Sequence, residues 1–185
     1  MAKAPACCAL VVLLGLAVGA HPAGAQSPPS GAVLTGDQVT EQSITDQLTP
    51  HQTRQLKIVR DGAGGSPVVA PPPSVNLLIT FTTNSTLLTD KAREQLDVVG
   101  RAINGERLGS MHFIIEGHAD ARGNSSANMA LSLARAQAVR TYLVKSAGVE
   151  EMRLRAVGKG DGEPLNREDV AAPENRRVTF ITEMP

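Results

Sequence analysis

From Ser74 onward the chain switches twice between an apolar period of two residues and one of about 3.6, and this alternation constrains the fold more than any other feature. Val75, Leu77, Ile79 and Phe81 alternate with Asn76, Leu78 and Thr80, which reads as a strand. Thr89 caps a helix running through Asn104, whose inner stripe is Ala92, Leu96, Val99 and Ile103. Met111 to Gly117 is a second strand, with Phe113 and Ile115 on one face. A long helix from about Ser126 to Ala147 follows, ended by Gly148 as a left-handed cap. Leu154 to Val157 and Arg177 to Thr182 are two further strands, separated by a loop over Gly158 to Pro173 that contains one helical turn. The order β-α-β-α-β-β gives an α+β domain. Two strand–helix–strand crossovers require parallel pairing in part of a mixed sheet, with the two main helices packed on one face.

The remainder of the 185 residues is read as two other segments. Met1 to Ala25 has the form of a cleavable secretory signal: Lys3 is its only charge, Ala9 to Ala20 is apolar throughout, and Ala23-Gly24-Ala25 is a small-x-small cleavage site. The apolar stretch is shorter than the roughly 20 residues a bilayer span needs, so the mature chain is expected to have no transmembrane span. Residues 26–73 read as an arm rather than a domain. Thr35 to Leu48 forms one short helix opened by the capping box Thr35-x-x-Gln38, and Gly62 to Pro73 is a Gly- and Pro-rich linker. Residues 74–185 are the folded domain.

Both cysteines, Cys7 and Cys8, fall inside the signal, which leaves no thiolate or disulfide for the mature chain. Removing Lys3 leaves 17 basic residues against 18 acidic, a net charge of −1 with His neutral. A chain of that charge lacks the basic field that supplies most nucleic-acid affinity, so nucleic acid is not an expected partner.

The chemistry gathers around the second strand and the long helix. Gly117-His118-Ala119-Asp120 ends the strand on an acid. On the helix, Leu131, Arg135, Ala138, Val139 and Tyr142 fall within an arc of about 100°, which puts Arg135 near the middle of an apolar stripe. An arginine turned inward needs a carboxylate, and Asp120 is the nearest candidate. Asn128 and Ser132 flank it with neutral hydrogen-bonding groups. Two readings fit. In one, Asp120 takes an ammonium and Arg135 a carboxylate, so the pair captures a zwitterion. In the other, Asp120 and Arg135 form a salt bridge that fastens the turn to the helix.

His118, with Glu116 and His112 nearby, falls short of the three or four convergent ligands a zinc site needs, and its expected role is a hydrogen bond shaping the turn. Of Arg176 and Arg177, strand alternation lets only one face the pocket, and Arg177 is read as the helper in ligand binding. Asn175 is expected to fasten the neighbouring loop. The mature chain shows no cysteine nucleophile, no Gly-x-Ser-x-Gly elbow and no HExxH pattern, so no enzyme activity, cofactor or metal is expected.

Taken together, Gly117-His118-Ala119-Asp120, Gly123, Asn128, Leu131-Ser132, Arg135-Ala136, Gly158-Lys159-Gly160 and Asn175-Arg176-Arg177-Val178 resemble the OmpA-like C-terminal domain, the peptidoglycan-binding module of Gram-negative envelopes. The resemblance implies that Asp120 and Arg135 grip the diaminopimelate side chain of the wall's stem peptide, with Asn128, Leu131, Ser132 and Arg177 around them. It also implies a periplasmic or outer-membrane-associated protein that anchors itself or an envelope complex to the wall, with residues 26–73 reaching an envelope partner. The rival is a structural module that docks a protein partner and uses Asp120–Arg135 only as a brace. Ala119 stands where the family usually has threonine, Lys159 where an aromatic is common and Asp161 where glutamate is common. The Gly-Arg-Ala that often precedes Asn-Arg-Arg is missing. These departures bear on affinity more than on ligand class.

Overall fold

The computed structural model describes residues 33–50, 71–82 and 85–183. The signal segment over 1–25 and most of the linker over 62–73 lie outside these residues. The elements are β1 (Val33–Leu34), α1 (Glu41–Leu48), β2 (Ser74–Leu77), α2 (Asp90–Asn104), β3 (His112–His118), α3 (Ser125–Lys145), β4 (Leu154–Gly160) and β5 (Val178–Glu183). From β2 onward the order is the expected β-α-β-α-β-β.

The sheet runs β1-β2-β5-β3-β4 and is mixed. β3 pairs parallel to β4, as the crossover through α3 requires. The last strand, β5, inserts antiparallel between β2 and β3. The crossover through α2 therefore joins strands that are not neighbours. Register places Val75 and Ile115 opposite Phe180, and Leu77 and Gly117 opposite Val178, so these residues share one sheet face. That face joins the apolar sides of α1, α2 and α3 in one buried cluster that includes Leu96, Val99, Ile103, Phe113 and Leu143. The opposite face carries Asn76, Glu116, His118 and Thr179 near its buried end.

Local chemistry sets the helix bounds. Thr89 Oγ1 accepts from Ala92 N to open α2, and Asn124 Oδ1 accepts from Ser126 N and Ala127 N to open α3. Gly148, at φ +68°, ends the turn after α3. No described helix is long and apolar enough to cross a membrane.

The expectation that residues 26–73 stand apart as an arm fails for 33–50. β1 adds a parallel strand beside β2, and Leu34, Ile44 and Leu48 have no exposed surface. Thr182 Oγ1 donates to Leu48 O at 2.6 Å, which ties the end of α1 to β5. The single helix expected over Thr35–Leu48 is divided. The Thr35/Gln38 capping pair opens a 3-10 turn at Gly36–Gln38, and Thr40, in extended conformation, caps α1 afresh by accepting from Ser43 N at 3.1 Å.

The expected first strand is also shorter than its alternation. Ile79 N turns back onto Leu77 O, and Phe81 pairs with Leu88 in an isolated antiparallel bridge. Phe81 thus leaves the sheet and lies beside α3.

Candidate functional site

Close approach of α3 to the sheet creates the site. A Cβ on Gly117 would collide with the Ser132 carbonyl, and one on Gly158 would lie 2.8 Å from the Leu133 nitrogen. The bare glycines let the first half of α3 rest directly on the carboxyl ends of β3 and β4. Ser132 Oγ, fully buried, fastens the contact by accepting from Gly160 N at 2.9 Å. Asn128 Nδ2 holds the turn after β3 by donating to Asp120 O, Arg122 O and Asp161 Oδ2. The Asn128 amide nitrogen and the Ser132 hydroxyl, expected to face a ligand, are thus engaged within the chain.

The same packing shifts the buried stripe of α3. It consists of Asn128, Ser132, Ala136, Val139 and Leu143 rather than an arc centred on Arg135. Small side chains at 132 and 136 suit the close sheet contact, and Leu131 and Arg135 fall to the flank, half-buried. Arg135 lays its guanidinium over the Phe81 ring, 4.9 Å from the centroid, and its Nε donates to Ser85 O at 3.4 Å. Its two Nη nitrogens have no hydrogen-bond partner among the described residues. Burial, and then the Arg176 charge, lowers the Arg135 pKa, while the Asp120 charge raises it. All three groups share one electrostatic neighbourhood.

Asp120 is not within ion-pair distance of Arg135. Its Oδ2 instead takes Arg176 Nη1 at 2.7 Å and Arg122 Nε at 3.3 Å. The Asp120–Arg135 brace of the rival reading is therefore not made, because the 3-10 turn at Pro173–Asn175 brings Arg176 to the acid instead. Among the described residues, Asp120 Oδ1 accepts only the long 3.4 Å bond from Arg122 N. Asn175 holds this turn, accepting from Asn166 N and donating to Asn166 O and Asp169 O. The shallow surface depression lined by Leu165, Asn166, Arg167, Glu168 and Glu174 includes neither Asp120 nor Arg135.

Arg177, the expected helper, points to the other sheet face. Its O accepts from His118 N, and its guanidinium donates to Asn76 Oδ1 and Glu163 O. It is buried, as is His118. Both ring nitrogens of His118 lack a hydrogen-bond partner among the described residues, so the turn-shaping bond expected of this side chain is not made there. Burial first, and then the Arg177 charge, pushes its pKa down to about 4, so the imidazole is neutral near pH 7. Lys159, at the common aromatic position, bridges Glu116 at 3.3 Å and Glu163 at 2.8 Å beside it.

Sequence reasoning missed Arg176 and Arg122 as the partners of Asp120. The signal was available: Arg122 lies two residues away, and Arg176 immediately precedes a strand, where a turn rather than pleating sets direction.

Fold and site together define a small α+β module with a charged cluster around Asp120, just past the carboxyl end of β3. The chain belongs to the OmpA family, whose profile matches residues 80–177. It is 30% identical to outer membrane porin F of Pseudomonas aeruginosa over 169 residues, 90% of this chain and 47% of the relative. It is 35% identical to the peptidoglycan-associated lipoprotein of the same species over 100 residues, 53% of this chain and 57% of the relative. The chain thus spans about half the length of these curated relatives. Among solved structures it is similar to the OmpA-like domain of FopA1 from Francisella tularensis, with a TM-score of 0.51 and 20% identity over 60% of this chain and 73% of that one. This last likeness concerns the fold alone.

Proposed function

We propose that this protein binds peptidoglycan non-covalently through the diaminopimelate end of the stem peptide and anchors an envelope protein or complex to the wall. The observation that carries the proposal is the Arg135 guanidinium, held on one side by Phe81 and Ser85 and offering both Nη nitrogens to a guest. A planar fork with two free donors matches a carboxylate. Asp120 Oδ1, which accepts one long bond, retains capacity for an ammonium. A ligand carrying both charges on one carbon satisfies both groups. The names of the peptidoglycan-associated relatives support peptidoglycan as the polymer bound.

In this reading the protein acts by binding and carries out no chemistry on the wall. It works in the periplasm, exported by the segment over 1–25 and associated with the outer membrane through an envelope partner. That partner docks through residues 26–73, where Thr35, Asp37, Gln38, Thr40, Glu41 and Gln42 are exposed around the buried side of α1. One small ligand end limits affinity to about the micromolar-to-millimolar range, and the repeating wall polymer adds retention through multivalency.

The test is co-sedimentation with purified sacculi. Wild type is expected to pellet. Asp120→Ala and Arg135→Ala are each expected to stay in solution while keeping the wild-type circular dichroism spectrum. Retention of both folded variants on sacculi would refute the proposal.

A further inference from the structure

The ring of His118 takes no part in the site above. It is 3% exposed, on the sheet face away from the helices, and neither ring nitrogen has a hydrogen-bond partner among the described residues. Charges reach it from its own strand and from both sides. Glu116 on β3 places Oε2 3.8 Å from Nε2, beyond hydrogen-bonding distance. Lys159 on β4, Glu163 in the following loop and Arg177 just before β5 act on the ring through charge. β2 contributes the neutral Asn76, whose Oδ1 takes Arg177 Nε. Two cations and two carboxylates balance, so the cluster is neutral only while the imidazole is uncharged.

The two cations are also the stems of one loop. Lys159 is the penultimate residue of β4 and Arg177 immediately precedes β5, and β3 runs between these strands with His118 at its end. Both stems hold the loop down. Lys159 pairs with Glu116 at 3.3 Å and Glu163 at 2.8 Å, and Arg177 Nη2 donates to Glu163 O at 3.2 Å. The same loop carries contacts to the candidate site. Val170 O accepts from Ala121 N, Ala171 O accepts from Arg122 Nη2, and the Pro173–Asn175 turn aims Arg176 at Asp120. A proton on the buried ring adds an uncompensated charge between the stems. If Glu116 closes on the imidazolium it leaves Lys159, and if it stays the imidazolium remains beside two cations. Either response loosens a stem. We propose that His118 is a proton-sensitive latch on the loop between β4 and β5, so that acid opens this loop and weakens the hold on the wall. The opening stands on its own geometry, and its effect on the wall rests on the peptidoglycan reading above.

The experiment is amide hydrogen exchange followed by NMR at pH 7.5 and pH 5, corrected for the intrinsic effect of pH on exchange. The reporters are the amides of Ala119 and Ala121, bonded to Gly160 O in the stem and Val170 O in the loop. In wild type they are expected to open more readily than the sheet amides of Ile115 and Phe180. Burial lowers the ring pKa from 6.5 to about 4 in the closed state, so closure is favoured above that range and lost as pH falls through it. The loop opening constant is therefore expected to be about thirtyfold higher at pH 5 than at pH 7.5. His118→Gln is expected to abolish the rise, and Lys159→Met, which keeps the ring, to reduce it. Loop opening independent of pH in wild type, or reporters as protected as the sheet amides at pH 5, would overturn the latch. These wild-type readings need no variant to fold. A full rise in folded His118→Gln would overturn it as well. Retention on sacculi is expected to fall over the same pH interval in wild type and to hold in His118→Gln. Loop opening without a change in retention would overturn the link to the wall and leave the peptidoglycan reading in place. No retention at either pH would refute that reading and leave the exchange result to decide the latch.

Discussion

Arg176 Nη1 lies 2.7 Å from Asp120 Oδ2, and its neighbour Arg177 turns the other way, toward Asn76 and Glu163. Adjacent guanidinium groups thus serve opposite sides of the sheet, and their loss should separate binding from stability. Arg177→Ala removes two donor contacts from a buried position and is expected to lower stability by about 2–4 kcal/mol. Arg176 is itself half-exposed and Arg122 stays on the buried Asp120 carboxylate when it is removed, so Arg176→Ala is expected to cost less, about 1 kcal/mol. Urea denaturation of the two variants checks this order.

Gly117 has no room for a methyl group beneath the Ser132 carbonyl. Gly117→Ala is expected to cost about 1–3 kcal/mol, because α3 must lift from β3. Lifting α3 also displaces Arg135, so weaker sacculus binding should accompany the lower melting temperature. Gly123→Ala is a contrasting substitution: an added Cβ there meets nothing within 4 Å, although φ is +91°. Its cost comes from backbone strain alone, and Arg135 should stay in place. Thermal melts and sacculus binding of the two variants separate the effects.

Ile44 and Leu48 are fully buried under α2 and the sheet. Truncating either to Ala is expected to destabilise the whole domain by about 2–5 kcal/mol. Gln42→Ala, on the exposed side of α1, should change stability by less than about 0.5 kcal/mol. A single cooperative transition, shifted as one unit in Ile44→Ala, would show that α1 folds with the sheet.

The stability of the protein should fall in mild acid through His118. Its folded pKa is lowered from 6.5 to about 4 by burial and by Arg177, with Lys159 adding to the effect and Glu163 opposing it. Between those values the unfolded chain binds a proton that the folded chain refuses, so stability drops as pH falls from 6.5 toward 4. The full loss is roughly 3 kcal/mol. Glu163, whose own pKa is lowered chiefly by its bond to Lys159, adds a further loss at lower pH. His118→Gln should flatten the slope between pH 6.5 and 4. Denaturation midpoints across that range measure it.

Local signals in the sequence recovered what local physics decides. The Thr89 cap, the stripe Ala92, Leu96, Val99 and Ile103, and the left-handed Gly148 all lie within one turn of the residues they act on, and all appear in the structure. Readings that depended on distant partners shifted. The α3 stripe was centred on Arg135 by counting apolar residues, but the buried face is set by small side chains meeting Gly117 and Gly158. Leu34 is buried only because it adds a strand beside Leu77, a pairing that nothing near Leu34 announces. In the candidate site, the acid at the strand end does find a guanidinium, but from Arg176 and Arg122 rather than from Arg135, the partner the sequence suggested. Arg176 was not legible, because the turn at Pro173–Asn175 rather than strand alternation aims it.

The most direct test is a crystal structure with free meso-diaminopimelate. The expected complex has the ligand carboxylate across the two Nη nitrogens of Arg135 and the ammonium of the same carbon on Asp120 Oδ1, with Arg176 still on Oδ2. A diamino acid bound away from both side chains, or one whose ammonium and carboxylate ignore this pair, would contradict the account.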